Sequence, residues 1–126
     1  MATQYHNLSD YDSELMPEKQ AVANQLYAIV VADWNPDITN SLLNGAITTL
    51  IENGVVQKNI KVFHVPGTFE LTHAATKLMN KFKTLAGKKT HLYDAIIVIG
   101  CVVQGETPHF AYVCSSVTKG VTELNL

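Results

Sequence analysis

Two hydrophobic periods alternate along the chain. Residues 26–32 form a continuous apolar run rich in β-branched side chains, which is typical of a strand buried on both faces. From residue 38 the apolar positions recur at helical spacing, and Asn53 and Gly54 then end this stripe. The pattern therefore predicts a strand followed by a helix.

The same alternation occurs twice more. Residues 60–65 and 93–103 have the composition of further buried strands. A helical stripe follows each of them, over residues 71–85 with a stop at Gly87 and over residues 110–124. The chain therefore contains three consecutive strand–helix units.

These units predict the fold class. Strands that alternate with helices favour a parallel sheet with right-handed crossovers, so we predict an α/β domain over residues 26–126, a three-layer αβα sandwich with a parallel, flavodoxin-like central sheet. Residues 1–25 are polar and aperiodic, which predicts an extended N-terminal arm. Because three strands make a small sheet, either the native chain continues or another subunit completes the sheet.

Composition narrows the class of protein. The chain has 126 residues, 47% of them hydrophobic and 16% charged, which fits one compact domain and excludes disordered and collagen-like classes. Its longest apolar run, residues 95–103, is too short to cross a bilayer, and residues 1–24 lack the pattern of a secretory signal. We expect a cytoplasmic protein without a membrane partner, with Cys101 and Cys114 as reduced thiols.

The charged residues argue against a nucleic-acid partner. The net charge is −2, and all nine basic residues are lysines. Nucleic-acid binders rely on arginine for bidentate contacts with guanine and phosphate, so we expect neither DNA nor RNA as a partner. Five lysines fall between residues 77 and 89, and such a run near a helix C-terminus is most often a solvated end that the helix dipole favours.

Candidate chemistry lies in the strand-to-helix turns, because ligands of open α/β sheets bind beyond the carboxyl ends of the strands. In the first turn, Asn35 is a candidate N-cap, and Pro36 fits the first helical turn. Trp34 stands at the exit of the strand. Its ring either stacks on a flat heterocycle or closes the top of the core, and its size alone fits both.

The second turn contributes a second aromatic ring and a carboxylate. A Pro-Gly pair makes a tight turn, and Thr68 after it is the predicted N-cap. We expect Phe69 to provide a second aromatic wall that faces Trp34. The helix dipole stabilises Glu70 and explains its position structurally, whereas its functional interpretation is a carboxylate that accepts hydrogen bonds from a polar ligand.

The third turn combines an anion site with a histidine. Thr107 is the predicted N-cap, followed by Pro108, so free amides and the turn at Gly105 could hold a phosphate. Glu106 disfavours an anion unless its carboxylate points away. His109 falls in the first helical turn, where the positive dipole end disfavours imidazolium, so we expect a neutral ring that accepts a proton. A lone histidine is weak evidence, but its shared edge with two aromatic rings and a carboxylate favours catalysis.

Other chemistries lack their motifs. The chain has no phosphate-binding P-loop, no G-x-G-x-x-G fingerprint and no Gly-x-Ser-x-Gly elbow. The five histidines show no metal-ligand spacing, so we predict no metal site. Cys101 and Cys114 lie in apolar periodic segments, which favours buried thiols over nucleophiles.

Several sequence elements together resemble one known family. They are Trp34-Asn35, Leu42-Leu43-x-Gly45-Ala46, Val65-Pro66-Gly67-Thr68-Phe69-Glu70, Tyr93-Asp94-Ala95, and Gly100-Cys101-Val102-Val103-Gln104-Gly105-Glu106-Thr107-Pro108-His109. In order and spacing the chain resembles the 6,7-dimethyl-8-ribityllumazine synthase family of riboflavin biosynthesis. The Val-Pro-Gly-x-Phe-Glu and Gly-Glu-Thr-x-His elements are together highly specific.

The resemblance implies a transferase that needs no cofactor. It would condense 5-amino-6-(D-ribitylamino)uracil with 3,4-dihydroxy-2-butanone 4-phosphate: an imine forms, phosphate leaves, and the ring closes with loss of water. By position, His109 would transfer protons, and Trp34 would stack on the pyrimidine in place of the family's usual Phe. Residues lining the aminouracil and ribityl site would be Thr68, Phe69, Glu70, Cys101, Val102 and Val103. Those approaching the phosphate would be Gly105, Glu106 and Thr107.

The resemblance also implies an assembly. Family members form pentamers, some of which build icosahedral shells, and their N-terminal arm pairs with the next subunit's sheet; riboflavin synthase is a further candidate partner. They continue into another strand and a long helix whose Arg clamps the phosphate. This sequence has no Arg, so an end at Leu126 would weaken phosphate binding. A second interpretation therefore stays open, a flavin- or lumazine-binding or shell-forming protein without catalysis.

Overall fold

A parallel sheet of three strands forms the centre of the computed structural model, which describes residues 12–126. In chain order its helices and strands are α1 (Lys19–Val22), β1 (Tyr27–Ala32), α2 (Pro36–Glu52), β2 (Ile60–Val65), α3 (Leu71–Met79), β3 (Phe82–Leu85), β4 (Lys88–His91), β5 (Ala95–Ile99) and α4 (His109–Glu123). The sheet has the order β2-β1-β5, and both pairings are parallel. The strands predicted at residues 26–32 and 60–65 are confirmed.

Helices cover both faces of the sheet. One core cluster joins β1 to α3 and contains Ala28, Val30, Ala32, Leu71 and Leu78. The opposite cluster joins β1 to α2 and β5 and contains Ile29, Val31, Leu43 and Ile99. Helix α4 approaches α3 closely, since a Cβ on Gly120 would lie 2.7 Å from a methyl carbon of Thr72. The predicted three-layer α/β sandwich is confirmed, and β1 is buried from both sides because its neighbours on each face are apolar.

The predicted second helix is too long, because residues 80–85 do not continue it. Helix α3 ends at Met79, where the Asn80 side-chain amide donates to the Thr76 carbonyl at 3.0 Å. Strands β3 and β4 then form an antiparallel hairpin that is separate from the main sheet. Phe82 and Leu85 fit a helical stripe by spacing, but they also fit a short strand, and that ambiguity is expected for brief apolar patterns.

Cross-strand contacts hold this hairpin together. The Phe82 and His91 rings pair directly, with centroids 5.0 Å apart, and the Lys89 ammonium lies 4.2 Å from the centre of the Phe82 ring. Such aromatic and cation–π pairs are the units that stabilise a two-stranded sheet. The interpretation of these lysines as a helix end is therefore wrong for Lys83, Lys88 and Lys89, which lie on the hairpin; only Lys77 occupies the last turn of α3.

The hairpin turn offers a stability test. Ala86 and Gly87 both have positive φ, 50° and 77°, as in the two-residue turns that favour Asn-Gly. An alanine in this left-handed region costs about 1 kcal/mol, so Ala86→Asn should raise the melting temperature by a few degrees. The control is Ala111→Asn on the exposed side of α4, where asparagine should lower it. A melting temperature unchanged by Ala86→Asn would show that this turn does not limit stability.

The third strand of the main sheet is shorter than predicted. It spans Ala95–Ile99 rather than residues 93–103, and Ile99 pairs with Val31 near the end of β1. Beyond the end of β1, the Asp33 amide continues the pairing with β2 and donates to the Val65 carbonyl at 2.8 Å. Residues 100–107 belong to no strand or helix, so the apolar residues after Gly100 do not continue the sheet.

The N-terminal arm is partly helical in the described residues. A 3₁₀ turn at Ser13–Leu15 and the single turn of α1 replace the predicted extended conformation, and Val22 of α1 is buried. Asp12 stabilises the first turn, because its carboxylate accepts the Glu14 amide at 2.9 Å. The remainder of the predicted arm, residues 1–11, lies outside the described residues.

Candidate functional site

The first turn places an exposed indole and an unusual asparagine at the carboxyl edge of the sheet. Trp34 is 71% exposed, so its ring does not close the core. Asn35 occupies the N-cap position of α2 with a left-handed φ of 60°, but its side chain caps nothing. Instead, the Asn35 amide crosses to the third turn and donates to the Cys101 carbonyl at 3.2 Å. Pro36 begins the helix, as predicted.

The second turn directs its polar groups differently from the prediction. Thr68 is not an N-cap, because the 3₁₀ turn Thr68–Glu70 precedes α3 and the Thr68 hydroxyl donates to the Cys101 carbonyl at 3.2 Å. The capping contact comes from Glu70, whose Oε2 accepts the Gly67 amide at 2.9 Å. This contact orients the carboxylate over the turn and leaves Oε1 without a hydrogen bond among the described residues. Phe69 is 61% exposed, so its ring is accessible as the predicted aromatic wall.

The third turn is an irregular segment that leads into α4. Thr107 is not the N-cap, since α4 begins at His109 with Pro108 before it. The first backbone bond of the helix runs from the Tyr112 amide to the Pro108 carbonyl, so the amides of residues 109–111 are free of helical partners. Gly105 lies in open space. The predicted supply of free amides is therefore present, one residue later than expected.

A cavity of about 420 Å³ opens between the three turns. Its lining consists of Trp34, Gly67, Phe69, Glu70, Cys101, Val102, Val103, His109 and Val113. The structure therefore brings together the predicted aromatic rings, the carboxylate, the apolar segment after β5 and the histidine. The predicted residues that do not line the cavity are Thr68, Gly105, Glu106 and Thr107.

Sequence reasoning missed three residues at this site. Val113 follows His109 by four positions on α4, and residues at that spacing share one helix face, so the pattern contained a signal for it. Gly67 lines the cavity as part of the predicted Pro-Gly turn. The role of Asn35 had no local signal, because its partner Cys101 lies 66 residues away in sequence.

The arrangement suits a flat, polar ligand. Aromatic and aliphatic side chains offer apolar faces on which a heterocycle can stack, and Glu70 supplies an acceptor. The His109 imidazole at the rim can accept or donate a proton. The thiol of Cys101 is free and partly buried. Next to Trp34 in the sequence, Asp33 Oδ1 lies 2.7 Å from His64 Nδ1, and both side chains are more than half exposed.

A second cavity of about 380 Å³ lies at the opposite edge of the sheet, near the start of β5 and the ends of α3 and α4. It contains none of the predicted site residues. Within residues 12–126, no three His, Cys, Asp or Glu side chains come close enough together to hold a metal ion. In the same part of the chain, no helix has the length and hydropathy needed to cross a membrane.

Comparison with known proteins decides the family. Residues 24–126 match the family model described as 6,7-dimethyl-8-ribityllumazine synthase. The chain belongs to this family. Proteins named 6,7-dimethyl-8-ribityllumazine synthase from Porphyromonas gingivalis and Parabacteroides distasonis are 52% and 51% identical to it over 126 residues, covering 100% of this chain and 71% of each relative. The protein of that name from Phocaeicola vulgatus is 48% identical over 125 residues, covering 99% of this chain and 67% of the relative.

Membership of the lumazine synthase family bears out the resemblance drawn from the three turns. The matched residues 24–126 contain all three turns and every residue that lines the cavity. The identities of 48–52% extend over nearly the whole chain rather than over isolated motifs.

Proposed function

We propose that this chain is a 6,7-dimethyl-8-ribityllumazine synthase that condenses 5-amino-6-(D-ribitylamino)uracil with 3,4-dihydroxy-2-butanone 4-phosphate. The observation that carries the proposal is its extended identity to synthases, combined with a cavity that gathers aromatic rings, a carboxylate and a histidine. The aromatic amine attacks the ketone to form an imine with loss of water, inorganic phosphate leaves, and ring closure releases a second water. Nothing in this reaction is oxidised or reduced, so it requires no redox cofactor.

The aminouracil is proposed to lie in the described cavity. Trp34 stacks on the pyrimidine ring, and the opposite side of the pocket is supplied by Phe69, Val102 and Val103. Glu70 accepts hydrogen bonds from the ribityl hydroxyl groups through the oxygen that the Gly67 amide leaves free. Because both reactants are held in one cavity, much of the acceleration comes from proximity and orientation.

The phosphate and the proton transfers are proposed to lie at the start of α4. The free amides of residues 109–111 and the positive end of the helix dipole favour an anion there, and the open Gly105 lets a phosphate approach the backbone. Glu106 and Thr107 are exposed on the same segment. His109 is the general acid and base that serves imine formation and ring closure.

We further propose that the enzyme works as a homo-oligomer, as a pentamer or a shell built from pentamers. The cavity supports this proposal because its apolar walls are open: Trp34, Phe69 and Val103 are 71%, 61% and 65% exposed. Large apolar side chains clustered at one rim are typical of surfaces that another protein covers. A second subunit placed there would exclude water from the bound reactants.

The decisive test of the activity is product formation. Purified protein is mixed with the aminouracil and the butanone phosphate, and 6,7-dimethyl-8-ribityllumazine is followed by its absorbance and fluorescence. We expect enzyme-dependent product above the uncatalysed rate. Absence of product together with tight lumazine binding would replace the synthase by the non-catalytic binding protein, and absence of both would leave only a scaffold role.

Replacing Trp34 tests the stacking proposal. Trp34→Ala removes an exposed ring that lines the cavity, and a lost stacking contact of about 1 kcal/mol should weaken binding of the aminouracil roughly fivefold. Trp34→Phe is the matched control, because it keeps an aromatic face and should retain most of the affinity. Isothermal titration calorimetry gives the dissociation constants. Equal constants for all three proteins would refute stacking at this position.

A further inference from the structure

The segment that follows β5 has few fixed points. Residues 100–107 belong to no helix or strand, and outside those elements no backbone–backbone hydrogen bond of the described chain involves residues 100–107. Yet Cys101, Val102 and Val103 form one wall of the cavity. Something other than regular structure must therefore hold this wall in place.

Two side chains from the other turns reach the start of this segment. The Asn35 amide and the Thr68 hydroxyl each donate to the same acceptor, the Cys101 carbonyl oxygen, at 3.2 Å. A carbonyl oxygen has two lone pairs, so both hydrogen bonds can form at once. They join the first, second and third turns at one atom, and we call this group of three residues the carbonyl clamp.

The backbone near each donor favours its hydrogen bond to the Cys101 carbonyl. Asn35 has a φ of 60°, in the left-handed region that asparagine tolerates better than most residues, and this conformation accompanies its contact with Cys101 rather than a cap of α2. On the other side, a Cβ on Gly100 would lie 2.6 Å from the Thr68 hydroxyl oxygen. Only glycine lets the chain pass close enough for Thr68 to reach the next carbonyl.

We propose that Asn35 and Thr68 are positioning residues, which fix the Cys101–Val103 wall through the Cys101 carbonyl and thereby set the affinity of the cavity for the aminouracil. This inference rests on the proposed function for its kinetic effect, but the clamp itself is a property of the fold. Neither side chain needs to touch the reacting atoms. His109 is anchored separately, as the first residue of α4, so the clamp governs binding more than turnover.

The test removes each donor while keeping the backbone. Asn35→Gly retains the left-handed conformation and deletes the amide, and Thr68→Val keeps the shape and deletes the hydroxyl. Thr68→Ser is the control that preserves a donor. We expect Asn35→Gly and Thr68→Val each to raise KM for the aminouracil about threefold to tenfold, the usual effect of one lost hydrogen bond, with kcat changed less than about twofold. The double variant should exceed the product of the single effects, because either bond alone retains part of the contact.

A second readout does not depend on catalysis. In a Cys114→Ser background, Cys101 is the only thiol, and its rate of reaction with a thiol-exchanging disulfide reports the freedom of the segment. We expect Asn35→Gly and Thr68→Val to speed this reaction and Thr68→Ser to leave it near the parental rate. Circular dichroism and the melting temperature verify that each variant folds. If Asn35→Gly does not fold, Thr68→Val still tests the clamp.

The outcomes separate the two proposals. Faster thiol reaction without any activity in the parent protein would support the clamp and reject the synthase. Variants with lowered melting temperatures but the parental thiol rate and KM would overturn the clamp and leave both residues a purely structural role. A fall in kcat with unchanged KM would also overturn it, because the contact would then act on the chemical step.

Discussion

Replacing His109 with alanine is expected to lower kcat about a hundredfold while ligand affinity stays within a few-fold of the parent, the lower end of what general acid–base catalysis contributes. His109 is the first residue of α4 and lines the cavity, and it is the residue to which we assign both proton transfers. A larger loss is not expected, because proximity of the two reactants supplies much of the acceleration.

The rate of the chemical step in His109→Ala should be measured by single-turnover kinetics, because slow product release can hide a change in that step. His73→Ala is the matched control: this histidine is exposed on α3 and does not line the cavity, so its replacement should leave turnover unchanged. Lumazine binding, followed through the fluorescence of the sole tryptophan, Trp34, checks that the cavity is intact. Parental turnover of His109→Ala in single-turnover experiments would remove His109 from the mechanism.

Replacing Gly100 with alanine is expected to damage both stability and the site. The added Cβ would lie 2.6 Å from the Thr68 hydroxyl and 2.8 Å from a methyl carbon of Leu71. Leu71 is 2% exposed and belongs to the core, so it cannot move aside cheaply. Forcing a methyl group into a packed region costs about 1–3 kcal/mol, and displacement of Thr68 would also break its bond to the Cys101 carbonyl.

Thermal unfolding and the KM for the aminouracil together measure this effect. We expect the melting temperature to fall by roughly 4–15 °C and KM to rise. Gly45→Ala is the control, because an added Cβ there meets nothing within 4 Å and lies in the interior of α2, where alanine is the better helix former. If Gly100→Ala kept the parental melting temperature and KM, the close approach of this turn to Thr68 would have no energetic importance.

The sequence predicts the main framework correctly because that framework is encoded locally. A continuous apolar run and a helical stripe each reflect contacts with the core that repeat every few residues, so β1, β2 and α2 could be placed from periodicity. The turns at Trp34, Phe69 and His109 could be placed at one edge because parallel strands end together. The same local reasoning fails at residues 80–91, because the short spacing of apolar residues fits a helix and a hairpin equally. There α3 ends at Met79 with Asn80 as its C-cap, and the turn at Ala86 and Gly87 forms the hairpin.

The polar contacts of the site were decided only by the tertiary structure. Asn35 and Thr68 both have the residue type and position of helix caps, yet each donates to the Cys101 carbonyl, across 66 and 33 residues of sequence. The Cys101 carbonyl lies beyond the end of β5 and accepts no backbone amide among the described residues. The two side-chain donors satisfy this partly buried acceptor, which is costly to leave unpaired. Sequence alone therefore determined which residues meet at the carboxyl edge of the sheet, through periodicities that act over a few positions. Which atoms they bind depended on how the three turns pack against one another, since hydrogen-bond partners are set by distances in space that no local pattern contains.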